Sequence, residues 1–281
     1  MNEKLNPQVM ASNYDYLIIG GGMAADTAAR GIREQDSFGS IGILSADSDE
    51  PYTRPALTKK LWTDSTFTED QVALNTTKET KNTTLKLKTT VTAIEREDHR
   101  VLLEDGTSIG YKKLLLVTGG EPKRIDGPED EKVIAFREWS DYRRLRNFSG
   151  NNQHVVIVGG GYIVAELAAG RVQNNTKVTL IYPDKILGSS QFPSELAKEY
   201  EASFREAGVE LLNGRRAESY TKEDEKFTLL LDDGSTVEGD AIVIGLGVSP
   251  RISLAEQSGL KIEDGVYVDE YLRTKDPDIW A

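Results

Sequence analysis

Residues 16–29 read YLIIGGGMAADTAA, and residues 155–168 read VVIVGGGYIVAELA. Each begins with four apolar residues suited to a buried parallel strand. Three glycines follow, and then apolar residues at helical spacing. In the first stretch the stripe is Ala24, Ala25, Ala28, Ala29 and Ile32, which predicts a helix over 23–33. The second stretch predicts a helix over 162–173. A further strand follows each helix, at Ile41–Leu44 and Lys177–Tyr182. The two strand–turn–helix–strand units begin about 140 residues apart. A solenoid repeats every 20–50 residues or so, so this spacing predicts two similar domains instead.

The first turn is Gly20-x-Gly22-x-x-Ala25. Gly20 permits the tight turn, Gly22 lets a pyrophosphate approach the backbone, and Ala25 is small enough for helix to pack on strand. The helix N-terminus then offers N–H groups and a positive dipole end to phosphate. A strand before and a helix after separate this pattern from a turn that merely joins two elements. The second strand of the unit ends near Asp47, the candidate for ribose hydroxyls, although Asp49 and Glu50 beside it read as solvated turn acids. The second turn is Gly159-x-Gly161-x-x-Val164. A branched side chain here requires the helix to stand off or the local packing to absorb it. Asp184 follows the next strand, and an acid there opposes the 2′-phosphate of NADP, which favours NAD. Two dinucleotide sites in one chain point to FAD on one unit and NAD on the other.

Composition narrows the alternatives. The 281 residues, 38% hydrophobic, allow about two domains with real cores. Lys plus Arg is 34 against 46 Asp plus Glu, a net charge of -12, which argues against nucleic acid or an anionic membrane as partner. There are 0 Cys, so a disulfide framework, a thiolate metal site, a Cys nucleophile and a redox dithiol are excluded. His99 and His154, the two histidines, leave little for a metal site or a catalytic triad, and no metal is expected. No apolar run approaches the roughly 18–20 residues of a membrane span. The polar residues 1–13 read as a disordered arm, and a cytoplasmic protein is expected. Residues 121–131, rich in Pro, Gly and charge, read as a linker.

Four stretches together resemble the FAD-dependent pyridine nucleotide oxidoreductases, in the branch of apoptosis-inducing factor and the ferredoxin and rubredoxin reductases. They are GGGMAADTAARGIREQD with Asp47 following, PYTRPALTKKLW (51–62), LLLVTGGEPKRI with Val117 in place of Ala, and VVIVGGGYIVAELAAG. The run TLIYPDK is specifically similar to apoptosis-inducing factor. The resemblance covers residues 15–281. It implies that Arg54 contacts the FAD phosphates, and that Lys59 pairs with Glu166 beside the flavin as a buried ammonium; these two are the implied catalytic residues. It implies that Thr118, Gly119 and Gly120 form the exit loop of the FAD domain. Val91 would contact the adenine through its backbone, and Arg137 would add a further FAD contact. Gly247 with Pro250 resembles the turn near the nicotinamide. Tyr162 and Ile163, with Gly159, Gly161, Glu166 and Asp184, complete the expected NAD contacts. Ala46 stands where this branch has a Glu for the FAD ribose, which leaves that contact to Asp47.

The expected fold is α/β with two Rossmann-like domains: FAD-binding over 14–122 and 251–281, NAD-binding over 123–250. The residues Asp278-Ile279-Trp280-Ala281 end where the family continues into an Ala-x-Gly-Asp segment, so this chain is expected to lack the usual C-terminal interface domain, either as a fragment of a longer protein or as a shortened form. The expected function is an FAD-dependent NADH oxidoreductase. With no internal dithiol, its acceptor is external: a ferredoxin- or rubredoxin-like carrier, a quinone or dioxygen. The alternative is an NADH- and flavin-responsive redox sensor or binding protein resembling apoptosis-inducing factor. The expected partners are NADH, a small electron-carrier protein and, in a homodimer, a second copy of the chain.

Overall fold

The computed structural model describes residues 10–150 and 152–281. In chain order the elements are β1 (Met10–Ile19), α1 (Met23–Gln35), β2 (Ile41–Leu44), α2 (Lys60–Thr63), α3 (Thr76–Glu79), β3 (Thr83–Lys86), β4 (Val91–Glu95), β5 (Arg100–Leu103), β6 (Ser108–Leu116), β7 (Gly120–Pro122), β8 (Val133–Ala135), α4 (Trp139–Asn147), β9 (His154–Val158), α5 (Tyr162–Gln173), β10 (Lys177–Tyr182), α6 (Ser194–Glu206), β11 (Glu210–Asn213), β12 (Ala217–Glu223), β13 (Lys226–Leu231), β14 (Thr236–Gly239), β15 (Ala241–Ile244), β16 (Val248–Pro250), α7 (Ser253–Gln257) and β17 (Ile279–Trp280). They fall into two compact units. The first runs up to Thr53 and takes in Val72–Glu121 and Pro250–Ala281; the second comprises Arg54–Gln71 and Pro122–Ser249.

The first unit is built on a seven-stranded sheet of order β3-β2-β1-β6-β5-β4, with β17 also paired to β6. β3, β2, β1, β6 and β17 are mutually parallel, whereas β5 and β4 join antiparallel. Successive strand side chains alternate between faces, and β1 shows the consequence. Leu17 and Ile19 pack on one face with Val101, Ile109, Leu114 and Leu116. Ile18 packs on the other with Ala25 and Ala29 of α1. Two alanines four residues apart let that helix lie close to the sheet. Residues 10–13, expected in a disordered arm, extend β1 instead, pairing with β6 from Ser108 to Gly110. The rest of that arm, residues 1–9, lies outside the described residues.

The second unit carries a five-stranded parallel sheet, β11-β10-β9-β15-β8, and a three-stranded antiparallel sheet, β12-β13-β14. Val156, Val158, Ile181, Ile242 and Ile244 pack against Tyr220, Phe227, Leu229 and Leu231 of the smaller sheet. On α5, Val164, Ala165, Leu167 and Ala168 are buried. The linker expected at 121–131 is largely folded onto this unit. Asp126 O accepts the Tyr220 N–H at 2.9 Å, and Pro128 O accepts the Tyr220 hydroxyl at 2.7 Å.

The segment Arg54–Gln71, expected with the FAD domain, packs in the second unit. Its anchor is Trp62, 5% exposed. The indole N–H donates to Leu57 O at 2.7 Å, and the ring meets Tyr142 edge-on at 5.2 Å. Gly170 on α5 makes this contact feasible, since a Cβ there would lie 2.8 Å from Trp62 Cβ. Asn174 then donates its side-chain amide to Trp62 O at 3.0 Å. Local spacing cannot reveal such a contact, because the partners lie more than a hundred residues apart. Among the described residues, no helix is long and apolar enough to cross a membrane.

Candidate functional site

Each unit gathers its candidate residues at the C-terminal edge of its parallel strands, where ligands bind in open α/β sheets. In the first, Gly20 has φ +124° and its N–H donates to Leu44 O at 2.8 Å. A Cβ on Gly20 would lie 2.1 Å from Val117 O, and one on Gly21 would lie 2.1 Å from Ser45 Oγ. Above Gly22 there is nothing within 4 Å. Gly22 caps α1 with extended backbone and no side-chain hydrogen bond. The turn is thus closed below and open above, a cradle of the shape a phosphate requires.

Asp47 sits in the turn after β2, where Oδ1 accepts the Asp49 N–H at 3.1 Å. The chain leaving β3 is pinned along this edge. Lys88 N–H donates to Asp47 O at 2.9 Å and Thr89 N–H to Ser45 O at 2.8 Å, which leads the chain to Val91 at the start of β4. Thr118 and Gly119 follow β6. Thr118 Oγ1 donates to Arg251 O at 2.8 Å, and Gly119 O accepts the Arg251 N–H at 3.0 Å. The sequence reading missed Asp26, which is 5% exposed and holds the first turn of α1. It accepts from Arg30 Nε at 2.9 Å and from Thr76 Oγ1 at 2.6 Å. An acid four residues before an arginine was the available signal.

The second unit repeats the cradle. Gly159 has φ +136°, its N–H donates to Ile181 O at 2.8 Å, and a Cβ there would lie 2.4 Å from Gly245 O. Gly161 caps α5 without a side-chain bond, and nothing lies within 4 Å above it. Tyr162 and Ile163 stand exposed on the first turn of α5. The Tyr162 ring meets Phe192 edge-on at 6.3 Å. Asp184 comes beside the turn: a Cβ on Gly160 would lie 3.7 Å from its Oδ2. Tyr182 fixes the strand end that carries it, donating to Glu201 Oε2 at 2.8 Å. Burial, and then that bond, push the Tyr182 phenol well above its ordinary value, so it stays a neutral donor. Gly247 takes φ +86° and accepts the Lys123 N–H at 3.0 Å.

The packing of Trp62 on α5 brings the 54–59 segment to Glu166. Lys59 Nζ lies 3.3 Å from Glu166 Oε1. The ammonium is not buried as expected, since the Lys59 side chain is 56% exposed. The second oxygen of Glu166 accepts from Thr58 Oγ1 at 2.6 Å. Thr58, 6% exposed, is a site residue that the sequence reading missed; its place next to Lys59 was the only signal. Arg54 donates to Arg137 O at 2.7 Å, so these two candidates adjoin.

The residues present therefore fit two dinucleotides. Each unit has an open cradle over a helix N-terminus and an acid at the end of the next strand. The pattern also has relatives. The ferredoxin–NAD(+) reductase component of the anthranilate 1,2-dioxygenase system of Burkholderia cepacia is 33% identical over 269 residues, 95% of this chain and 66% of that protein. Apoptosis-inducing factor 1, mitochondrial, of Dictyostelium discoideum is 29% identical over 296 residues, 95% of this chain and 55% of that protein. The crystal structure of the covalent putidaredoxin reductase–putidaredoxin complex matches with a TM-score of 0.87 at 28% identity, covering 97% of this chain and 67% of that one. The chain thus spans somewhat over half to two thirds of the length of these relatives. The profile described as pyridine nucleotide-disulphide oxidoreductase matches residues 14–281, and the chain belongs to that family.

Proposed function

We propose that the chain is an FAD-dependent NADH oxidoreductase built from two Rossmann-like dinucleotide-binding domains. FAD belongs to the domain at about 14–53, 72–122 and 251–281, and NAD to the one at about 123–250, with which residues 54–71 pack. The observation that carries this reading is the repeated cradle, closed beneath by a backbone carbonyl, open above, with an acid beside it. In the first domain Gly20, Gly22 and Ala25 shape the phosphate site, Asp47 serves ribose hydroxyls, and Val91, Thr118 and Gly119 supply further FAD contacts; Arg54 and Arg137, which adjoin in the second unit, are the further candidates for FAD. In the second, Gly159, Gly161, Tyr162, Ile163 and Gly247 line the NAD site. Asp184 favours the unphosphorylated ribose through charge repulsion of a 2′-phosphate.

Bound FAD would supply acceptance of two electrons from NADH and their onward release singly or in pairs. The chain's own contribution is electrostatic. Glu166, held by Thr58 on one oxygen, keeps the Lys59 ammonium in place on the other. A cation fixed there stabilises negative charge that develops during reduction. With 0 Cys, electrons leave to an external acceptor rather than through an internal disulfide. The names of the reductase relatives favour a small ferredoxin-like carrier. Anaerobic addition of NADH to the FAD-loaded chain should bleach its visible flavin band, with NADPH much slower and Asp184→Ala narrowing that gap. Equal rates with both nucleotides in the unaltered chain would refute the NAD assignment.

The likeness to apoptosis-inducing factor 1 favours a second reading, an NADH- and flavin-responsive binding protein. Slow reduction without turnover on any carrier would select it.

A further inference from the structure

The third position of the second fingerprint meets a residue across a close approach, and in the first unit the equivalent residue, Val117, packs against the cluster that holds the third position. In the first unit Ala25 occupies that position; in the second it is Val164, and both are fully buried. The facing wall is the residue just after the neighbouring strand, Val117 after β6 and Gly245 after β15. These two are held alike. Val117 N–H donates to Ile19 O at 2.9 Å, and Gly245 N–H to Val158 O at 2.8 Å. Their carbonyls close the two cradles from beneath, at 2.1 and 2.4 Å from where the Gly20 and Gly159 Cβ atoms would be. The sizes are exchanged: small helix residue and branched wall in the first unit, branched helix residue and glycine wall in the second.

The exchange is steric. A Cβ on Gly245 would lie 2.1 Å from Val164 Cγ1, but 3.6 Å from Val164 Cβ and 3.8 Å from Val158 O. Gly245 is not among the positive-φ glycines, so its backbone would accept alanine and the Val164 methyl is the sole serious obstacle. Valine in a helix has one strongly preferred rotamer. It cannot swing clear, so an added methyl must displace the first turn of α5.

We propose that Gly245 is the positioning residue of the second cradle. It supplies, from the opposite wall, the space that a third glycine in the fingerprint would supply, and so sets where the Gly159–Gly161 turn presents its N–H groups. This rests on the assignment of that turn to a dinucleotide.

The test uses the FAD-loaded chain and three variants, Gly245→Ala, Val164→Ala and the double variant. ADP-ribose, which carries the pyrophosphate without the reacting ring, is titrated by calorimetry; Tm and flavin content are read alongside. Gly245→Ala should weaken ADP-ribose at least tenfold and lower Tm, with flavin content unchanged because the first cradle is untouched. Val164→Ala should change Kd less than threefold. The double variant should return to within threefold of the parent, because Cβ–Cβ contact at 3.6 Å is ordinary. Gly245→Ala binding like the parent, or a double variant as weak as Gly245→Ala, would overturn the proposal. If the parent itself binds no ADP-ribose, the dinucleotide assignment falls and the positioning role with it. Rescue of Tm in the double variant would then report packing alone.

Discussion

The two cradles share their backbone plan and differ in where they put bulk. Around the first, the helix contributes a methyl and the strand end an isopropyl group; around the second, the helix contributes the isopropyl group and the strand end nothing. Close-packed interiors respond to total volume across a contact rather than to the identity of one residue. A fingerprint position therefore has meaning only together with the wall it faces. The same pair of units also differs in its additions. The second receives the 54–71 excursion, and with it Lys59 and Thr58; the first receives Arg251 on its exit loop.

The largest expected effects come from the residues that close each cradle. Gly20→Ala and Gly159→Ala each drive a Cβ into a backbone carbonyl at positive φ. Each should lower the unfolding free energy by about 3 kcal/mol or more in urea titrations. Gly20→Ala should empty the chain of flavin, whereas Gly159→Ala should keep flavin and lose ADP-ribose. Equal loss of both ligands in both variants would break the comparison between the units.

Next in size is a transplant. Ala25→Val should overpack the first unit by about 1–3 kcal/mol. Val117→Gly in the same chain, which recreates the arrangement of the second unit, should recover much of that loss. Thermal melts of the single and double variants decide it, and additive losses would contradict the size exchange.

Smaller again is Thr58→Ala. Loss of the hydrogen bond to Glu166 should cost about 1 kcal/mol. Lys59→Met should alter Tm little, because the Lys59 end of its pair with Glu166 is exposed and Thr58 still holds the carboxylate. Both variants should slow reduction by NADH, Lys59→Met the more. An unchanged rate in Lys59→Met would remove it from the site.

The smallest effect is with pH. Burial, and then the Lys177 cation, hold the His154 imidazole below its ordinary value. The fold prefers neutral His154, so this contribution is complete above about pH 6.5. It is lost as pH falls from there through the lowered value. His154→Gln should flatten that part of the stability profile, and an unchanged slope would contradict the assignment.

Much of this was legible in the chain because the signals are local. Four apolar residues, three glycines and a small-residue stripe encode strand, turn and helix within 14 residues, and both acids fall where the next strand ends. What was not legible depends on partners far apart in sequence. Trp62 needs Gly170 to dock, and without that contact nothing places Thr58 on Glu166. Val164 reads as a misfit in its own motif, because the glycine that makes room for it, Gly245, lies some eighty residues further along the chain. Residues 10–13 look like a polar arm, yet they continue the β1 ladder along β6 from Ser108 to Gly110. Lys59 is expected to be buried, yet its side chain is 56% exposed where it meets Glu166.

The most direct measurement is the visible absorbance spectrum of the freshly purified 281-residue chain, before and after incubation with FAD. The expected result is a flavin band that survives gel filtration and disappears in Gly20→Ala. A colourless chain that takes up no added FAD, or a band indifferent to Gly20→Ala, would contradict the account of the first cradle.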